Sequence, residues 1–164
     1  MEFRPITLLN LDEVIALAVG PEQQSLVADN LYSIAQAGLE PTAWCRAVYL
    51  AGKPVGFFSV KDRESGKRKY IWRFMVDARH QRMGIGRRVM VRLLDELFAD
   101  PAVTLVELTI VREPGGPEAF YCKCGFRSIE EQIGSEWRMV LPRGEYETKK
   151  AAQPGATDNP GGAQ

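Results

Sequence analysis

The chain has 164 residues, 45% of them hydrophobic and 26% charged, and its 21 Lys+Arg balance 21 Asp+Glu. That composition describes an ordinary one-domain chain with room for a sizeable core; it offers no apolar run of membrane-spanning length and no charged-then-apolar signal segment. Three cysteines without a paired framework suit a reducing cytoplasm, and Cys122-x-Cys124 with Cys45 and a single histidine, His80, is too little for a metal site. The expectation is a cytoplasmic protein with no metal and no membrane partner.

The zero net charge hides a division. Residues 1–46 carry Glu2, Asp12, Glu13, Glu22, Asp29 and Glu40 against Arg4 and Arg46, whereas lysines and arginines crowd residues 61–92 against only Asp62, Glu64 and Asp77. The first block suits a cationic ligand and the second an anionic one. The basic block lacks the interleaved aromatics of a nucleic-acid stacking platform, so no nucleic-acid partner is expected.

Residues 3–8 read as a first strand, and Asn10 followed by Glu13 has capping-box spacing, predicting a short helix to about residue 18. After Gly20-Pro21 a second helix is expected over residues 22–37, closed by Gly38. Residues 44–50 and 55–60 read as strands joined by a hairpin turn, residues 62–69 as a charged loop, and residues 70–76 as a central strand buried on both faces. A helix follows, with Val89, Leu93 and Leu97 on one stripe, Met90, Leu94 and Phe98 beside it, and Asp100-Pro101 at its end. Residues 103–111 form a further strand, 118–124 a short helix capped by Gly125, and 137–141 the last strand, with strand resuming from Phe126. From Gly144 the chain turns polar and rich in Gly, Pro and Ala, so the expected division is a folded domain over 1–143 and a disordered tail over 144–164. Runs of strands with flanking helices and one strand–loop–helix–strand crossover give an α+β, or mixed α/β, domain.

Two segments carry the chemistry. The first runs Arg79-His80-Gln81-Arg82-Met83-Gly84-Ile85-Gly86-Arg87-Arg88, a basic glycine-rich turn between a strand and a helix. A helix start leaves N–H groups unpaired with the dipole favouring negative charge, and Gly84 and Gly86 let the main chain approach a ligand closely, so the turn suits a pyrophosphate. It is not a Walker loop, because Arg87 and Arg88 follow Gly86 in place of Lys-Ser/Thr; it is not a dinucleotide fingerprint, because Val89 stands where the third glycine belongs. The second segment is Tyr121-Cys122-Lys123-Cys124-Gly125-Phe126, behind a Pro/Gly loop.

Gln81-x-x-Gly84-x-Gly86 preceded by Phe74-x-Val76, with Tyr121-x-x-x-Gly125-Phe126 downstream, resembles the acetyl-CoA loop and closing signature of the GNAT superfamily of N-acetyltransferases, over roughly residues 3–141. The resemblance implies a central, twisted, mostly antiparallel sheet with flanking helices, acetyl-CoA as cosubstrate, and direct transfer to an amine. It implies that Phe74 and Val76 offer main-chain groups to the pantetheine arm, and that Gln81, Arg82, Met83, Gly84, Ile85, Gly86 and Arg87 cradle the pyrophosphate. Tyr121 then becomes the catalytic acid that protonates the departing thiolate. His80 takes a positional role inside the loop.

A narrower resemblance, carried by Pro21-x-Gln-Gln24, Val27-Ala-Asp-Asn30, Ser33-Ile-Ala-Gln-Ala37, Pro54-Val-Gly-Phe-Phe58, Trp72-Arg-Phe-Met-Val-Asp77 and Pro117-Glu-Ala-Phe-Tyr121, is to the bacterial spermine/spermidine (diamine) acetyltransferase-like branch. It implies a polyamine or diamine acceptor, contacts from Gln24, Asn30, Tyr32, Ser33 and Trp72, and a homodimer. An amine antibiotic or a peptide N-terminus is the alternative acceptor, and a non-catalytic CoA-binding regulator the alternative class. Two departures stand out. Glu113-Pro-Gly-Gly-Pro117 replaces the asparagine loop, and residues 70–74 hold no carboxylate to serve as base, leaving ordered water or a carboxylate from the helical N-terminal region.

Overall fold

A computed structural model describes residues 1–152. Its elements are β1 (Glu2–Arg4), α1 (Leu11–Ile15), α2 (Asn30–Leu39), β2 (Ala43–Leu50), β3 (Lys53–Arg63), β4 (Arg68–Val76), α3 (Ile85–Phe98), β5 (Leu105–Ile110), α4 (Glu118–Cys124), β6 (Arg127–Ile133), β7 (Glu136–Pro142) and α5 (Arg143–Ala151). The strands form one seven-stranded sheet in the order β1-β2-β3-β4-β5-β7-β6. Only β4 and β5 pair in parallel, across the crossover through α3, and every other pair is antiparallel. This is the expected mixed α+β architecture. Among the described residues no helix is long and apolar enough to cross a membrane.

The sheet is covered unequally. On one face Val89, Met90, Leu93, Leu94 and Leu97 of α3 pack on Val106, Leu108 and Ile110 of β5 and on Phe58, Val60, Met139 and Leu141. On the other, Val14 and Leu17 cover Ala47, Tyr49, Phe57 and Met75 at the β2–β4 end only. The α3 stripe read from the sequence is therefore buried at every position named. The β2–β3 turn at Ala51-Gly52 has φ of 49° and 78°, the pair of positive angles that a two-residue hairpin matching strand twist requires.

Several boundaries differ from the sequence reading. Strand β1 stops at Arg4 because Pro5 cannot donate to the ladder. Asn10 does not cap α1; its side chain accepts from the Thr7 amide and donates to the Pro5 carbonyl, while Glu13 turns away to the Tyr49 hydroxyl. The expected helix over residues 22–37 is two pieces, a 3-10 turn at Pro21–Gln23 and α2, because the Asp29 carboxylate accepts from the Tyr32 amide at 2.7 Å and restarts the helix there. The charged loop shrinks to a turn, since β3 and β4 extend into it. The expected tail begins with a helix: α5 stacks Tyr146 on Phe98, ring centroids 4.5 Å apart, and Lys150 pairs with Asp95 at 2.7 Å. The remainder of that tail, residues 153–164, lies outside the described residues.

The feature that positions the site is a fork. β4 and β5 pair only from Arg68↔Leu105 to Tyr70↔Glu107, although β4 runs on to Val76 and β5 to Ile110. At the last paired position Glu107, fully buried, receives Arg63 at 2.9 Å, Arg68 at 2.6 Å and Arg138 from the neighbouring strands. A buried carboxylate is tolerated only when its charge is met and its lone pairs are filled. Here cations from β3, β4 and β7 do both.

Glu107→Gln is therefore expected to cost about 3 kcal/mol in urea unfolding, the low end for breaking a buried ion pair because the stranded arginines reach water. Arg63→Ala should cost under about 1 kcal/mol, since its side chain is 41% exposed and Arg68 and Arg138 remain on the carboxylate. A smaller loss for Glu107→Gln than for Arg63→Ala would contradict the arrangement.

Candidate active site

Beyond the fork the separated strands enclose a cleft of about 190 Å³. Residues 71–74 of β4 form one wall, Leu108, Thr109 and Val111 the other, and Tyr121 of α4, Glu136 of β7 and residues 25–28 before α2 close it. A bulge in β4 shapes the first wall: Ser59 pairs with Arg73 and Val60 with Ile71, so Trp72 is the extra residue.

The end of β4 offers main-chain groups to this gap. Asp77 donates its amide to the Val55 carbonyl at 2.9 Å, and alternation along an antiparallel pair then turns Phe74 and Val76 away from β3, toward the space that β5 has left. The Val76 carbonyl is already taken by Gln81 Nε2 at 2.9 Å. Phe74 keeps both its groups, and Val76 its N–H.

The glycine loop follows directly. Arg82 and Gly84 have φ of 60° and 73°, and Gly84 caps α3 without a side chain. The backbone N–H groups of Arg82, Met83, Gly84, Ile85, Gly86 and Arg87 have no acceptor among the described residues; the first helical bond is from Arg88 to Gly84 at 3.2 Å. Arg82, Arg87 and Arg88 are exposed and enter no ion pair among the described residues. A Cβ on Gly84 would meet nothing within 4 Å, and one on Gly86 would make ordinary contacts with Phe120 at 3.5 Å and Val76 at 3.6 Å, at the seam between β4 and α4. Unpaired donors, free guanidinium charge and open space fit the pyrophosphate of a CoA-type molecule.

The Gln81 side chain is a brace. Besides Val76 it donates to Gln23 Oε1 at 2.7 Å, tying the loop to the 3-10 turn before the cleft wall. Arg79 is spent on Asp77, at 2.7 Å. His80 points its Nδ1 at the same carboxylate from 3.6 Å and does not line the cleft, in keeping with a positional role.

Tyr121 sits on α4, whose last turn ends at Gly125 with φ 111°. Its ring packs edge-on against Phe120 and Phe126, at 5.1 and 5.9 Å, and its hydroxyl makes no hydrogen bond among the described residues. Burial pushes the phenol above its ordinary range, with Cys124 and Tyr70 adding to the shift. The group therefore stays protonated and is free to donate.

Of the residues expected to contact an acceptor, Trp72 alone lines the cleft. Asn30 is buried and donates to the Val14 carbonyl, Ser33 donates to the Asp29 carbonyl, Tyr32 is exposed and accepts from Gln36, and Gln24 is exposed. Their neighbours at 25–28 form the wall instead. Missing from the sequence reading was Glu136, the one carboxylate that lines the cleft.

Asp77 anchors the loop to the rest. It accepts from the Ala18 amide at 3.2 Å and from Arg79, while Ala78 donates back to the Ala18 carbonyl at 2.8 Å. Burial raises its pKa, but these hydrogen bonds outweigh burial and bring it to about 2. A depressed carboxyl contributes stability above its unfolded value near 3.9 and loses it as pH falls toward the folded one. Asp77→Asn should cost on the order of 2 kcal/mol in urea unfolding at pH 7, shrinking toward zero between about pH 4 and pH 2. A pH-independent difference would mean that the charge contributes nothing.

The model of the acetyltransferase (GNAT) family matches residues 10–126. None of the curated proteins matches the sequence. Among solved structures, the spermidine N-acetyltransferase from Vibrio cholerae in complex with CoA and spermine superposes with TM-score 0.68 at 18% identity, covering 89% of this chain and 97% of that one. An aminoglycoside acetyltransferase, AAC(6')-Ib with coenzyme A and kanamycin, gives 0.70 at 18% identity, over 90% and 98%. The PaiA N-acetyltransferase from Thermoplasma acidophilum with coenzyme A gives 0.66 at 14% identity, over 86% and 98%. At these identities the likeness is one of fold. The family model, spanning both the glycine loop and Tyr121, identifies the chain as a member of the acetyltransferase (GNAT) family, enzymes that use acetyl-CoA as acetyl donor.

Proposed function

We propose that this acetyltransferase acetylates a primary amine of a small cationic acceptor, a polyamine or diamine, by direct transfer in a ternary complex. The observation that carries the reading is Glu136, a carboxylate lining the cleft with no lysine or arginine paired to it among the described residues. Several other acidic groups are met: Glu107 by three arginines, Glu118 and Glu130 by Arg112, and Glu40 by Lys61. An unpaired carboxylate inside a cleft suits an ammonium ion. Asp29, exposed and next in the chain to cleft-lining Ala28, supplies a second negative charge at the rim for a distal ammonium group. The same reading includes a cytoplasmic homodimer, supported by Leu8, Leu9 and Leu39, which stand exposed around α1 and α2.

In this reading the N–H groups of residues 82–87 hold the pyrophosphate. The free groups of Phe74 and Val76 hold the pantetheine arm in the place that β5 vacates. Bound there, acetyl-CoA supplies an acetyl group activated as a thioester. The main chain at Phe74 and Val76 is aimed where a donor N–H polarises the thioester carbonyl, and Tyr121 gives its proton to the departing sulfur.

Tyr121→Phe should lower kcat by on the order of 10²-fold while leaving acetyl-CoA affinity nearly unchanged, as thiol release and calorimetric titration will show. A wild-type kcat would leave Tyr121 only a packing role. The acceptor is tested with spermidine, spermine and putrescine beside an aminoglycoside and a peptide with a free N-terminus. Turnover is expected with the polyamines. If they are inert while the aminoglycoside or peptide reacts, the acceptor class is wrong and the transferase remains; binding of acetyl-CoA with no turnover at all would mark a regulator.

A further inference from the structure

Glu136 is held in a way that recognition of an ammonium ion does not require. Its Oε2 accepts the hydroxyl of Thr109, and Thr109 Oγ1 lies 2.8 Å from the Tyr70 hydroxyl. Because the Thr109 proton goes to Glu136, Thr109 must accept from Tyr70. Both donors thus point along one line toward the carboxylate, from β4 across the fork to β7. The other oxygen, Oε1, has no partner among the described residues, and Glu136 lines the cleft together with Thr109 and Tyr121. One oxygen is fixed by Thr109, and the other is left without a partner on a residue that lines the cleft. That is the geometry of a positioned proton acceptor, supplied in a chain whose residues 70–74 offer no carboxylate.

We propose that Glu136 is the general base of the acetyl transfer, with Thr109 and Tyr70 as the residues that position it. The proposal rests on the reading of the cleft as the amine site, and it concerns whichever primary amine binds there. The acceptor enters as an ammonium ion and gives one proton to Glu136 Oε1. The freed nitrogen lone pair forms the C–N bond to the thioester carbon, the C–S bond breaks with its electron pair on sulfur, and Tyr121 protonates that sulfur. The second N–H proton, shed as the amide forms, returns through water to Tyr121. Glu136 passes its proton to solvent at the open mouth, so one proton is released per turnover.

Charged and titratable groups flank this hydrogen-bonded chain on every side: Glu107 of β5 pairs with Tyr70 and Arg138 of β7 with Thr109 in the ladders. Arg63 of β3 lies over the Tyr70 ring at 4.1 Å, Arg73 of β4 lines the same cleft, and Tyr121 faces it from α4. Burial pushes the Tyr70 phenol up and the Glu136 charge adds to it, outweighing the Thr109 hydrogen bond and the two arginines that pull the other way, so Tyr70 keeps its proton and keeps donating.

The test is Glu136→Gln, which preserves shape and can still accept from Thr109. The amine panel is run first on the wild type, and the fastest amine is carried forward, whichever it is. Glu136→Gln should lower kcat/KM by about 10²-fold or more at neutral pH with acetyl-CoA affinity unchanged. The pH profile is the decisive readout. The wild type, binding the ammonium form and deprotonating it in place, should hold a plateau until the amine's own pKa, about 10 for an alkyl amine and about 8 for a peptide N-terminus. Glu136→Gln, which must await neutral amine, should climb about tenfold per pH unit across the same range. Thr109→Val should lower kcat about tenfold with KM little changed, and Thr109→Ser should restore it. A wild-type plateau in Glu136→Gln overturns the base while sparing any acceptor assignment. Inert polyamines with another amine active overturn the polyamine reading while sparing the base. If no amine reacts, both fall.

Discussion

The meeting of Glu107 with Arg63, Arg68 and Arg138 is the constraint on which the rest of this molecule depends. It lies at the last paired position of β4 and β5, and the cleft opens beyond it, where the strands part. Parting two central strands is costly, because each presents unsatisfied N–H and C=O groups to the gap. The protein concentrates charge at the point of separation, so that the strands are held firmly up to Tyr70 and Glu107. Past that point the β4 groups at Phe74 and Val76 are left facing the gap. A cavity arises here from interrupted pairing, and no extra domain is needed to build one.

The interruption also explains how residues so distant in sequence come to share one site. Tyr121 arrives on a short helix after β5, Glu136 on a strand that returns to pair with the far edge of β5, and residues 25–28 from the segment that leads into α2. The glycine loop needs no such convergence. It follows β4 directly, and the positive φ at Arg82 and Gly84 turns its N–H groups outward before α3 begins.

That contrast sets what could be read from the sequence. The α3 stripe, the glycine turn and the Gly125 cap are local: periodicity, a left-handed backbone angle and an open helix end each leave a mark within a few residues. The break before α2 was also local but ambiguous, because residues 22–28 are compatible with a helix and only the side chain of Asp29 decides. Helix α5 could not be read from composition, since its order comes from Tyr146 meeting Phe98 across the chain. Glu136 depends on β7 being inserted between β5 and β6, a matter of topology. Glu107 did carry a signal, a lone charge in the middle of an otherwise apolar strand, and such a residue asks for buried partners.

The brace formed by Gln81 has a mechanical consequence. One amide nitrogen joins the carbonyl that ends β4, the glycine loop, and Gln23, just ahead of the cleft wall at residues 25–28. Two binding surfaces that look separate are hinged on a single side chain. A side chain held by both acceptors resists any slide of the loop against residues 21–23, so the spacing of the two surfaces is set by two glutamines and not by the sheet between them.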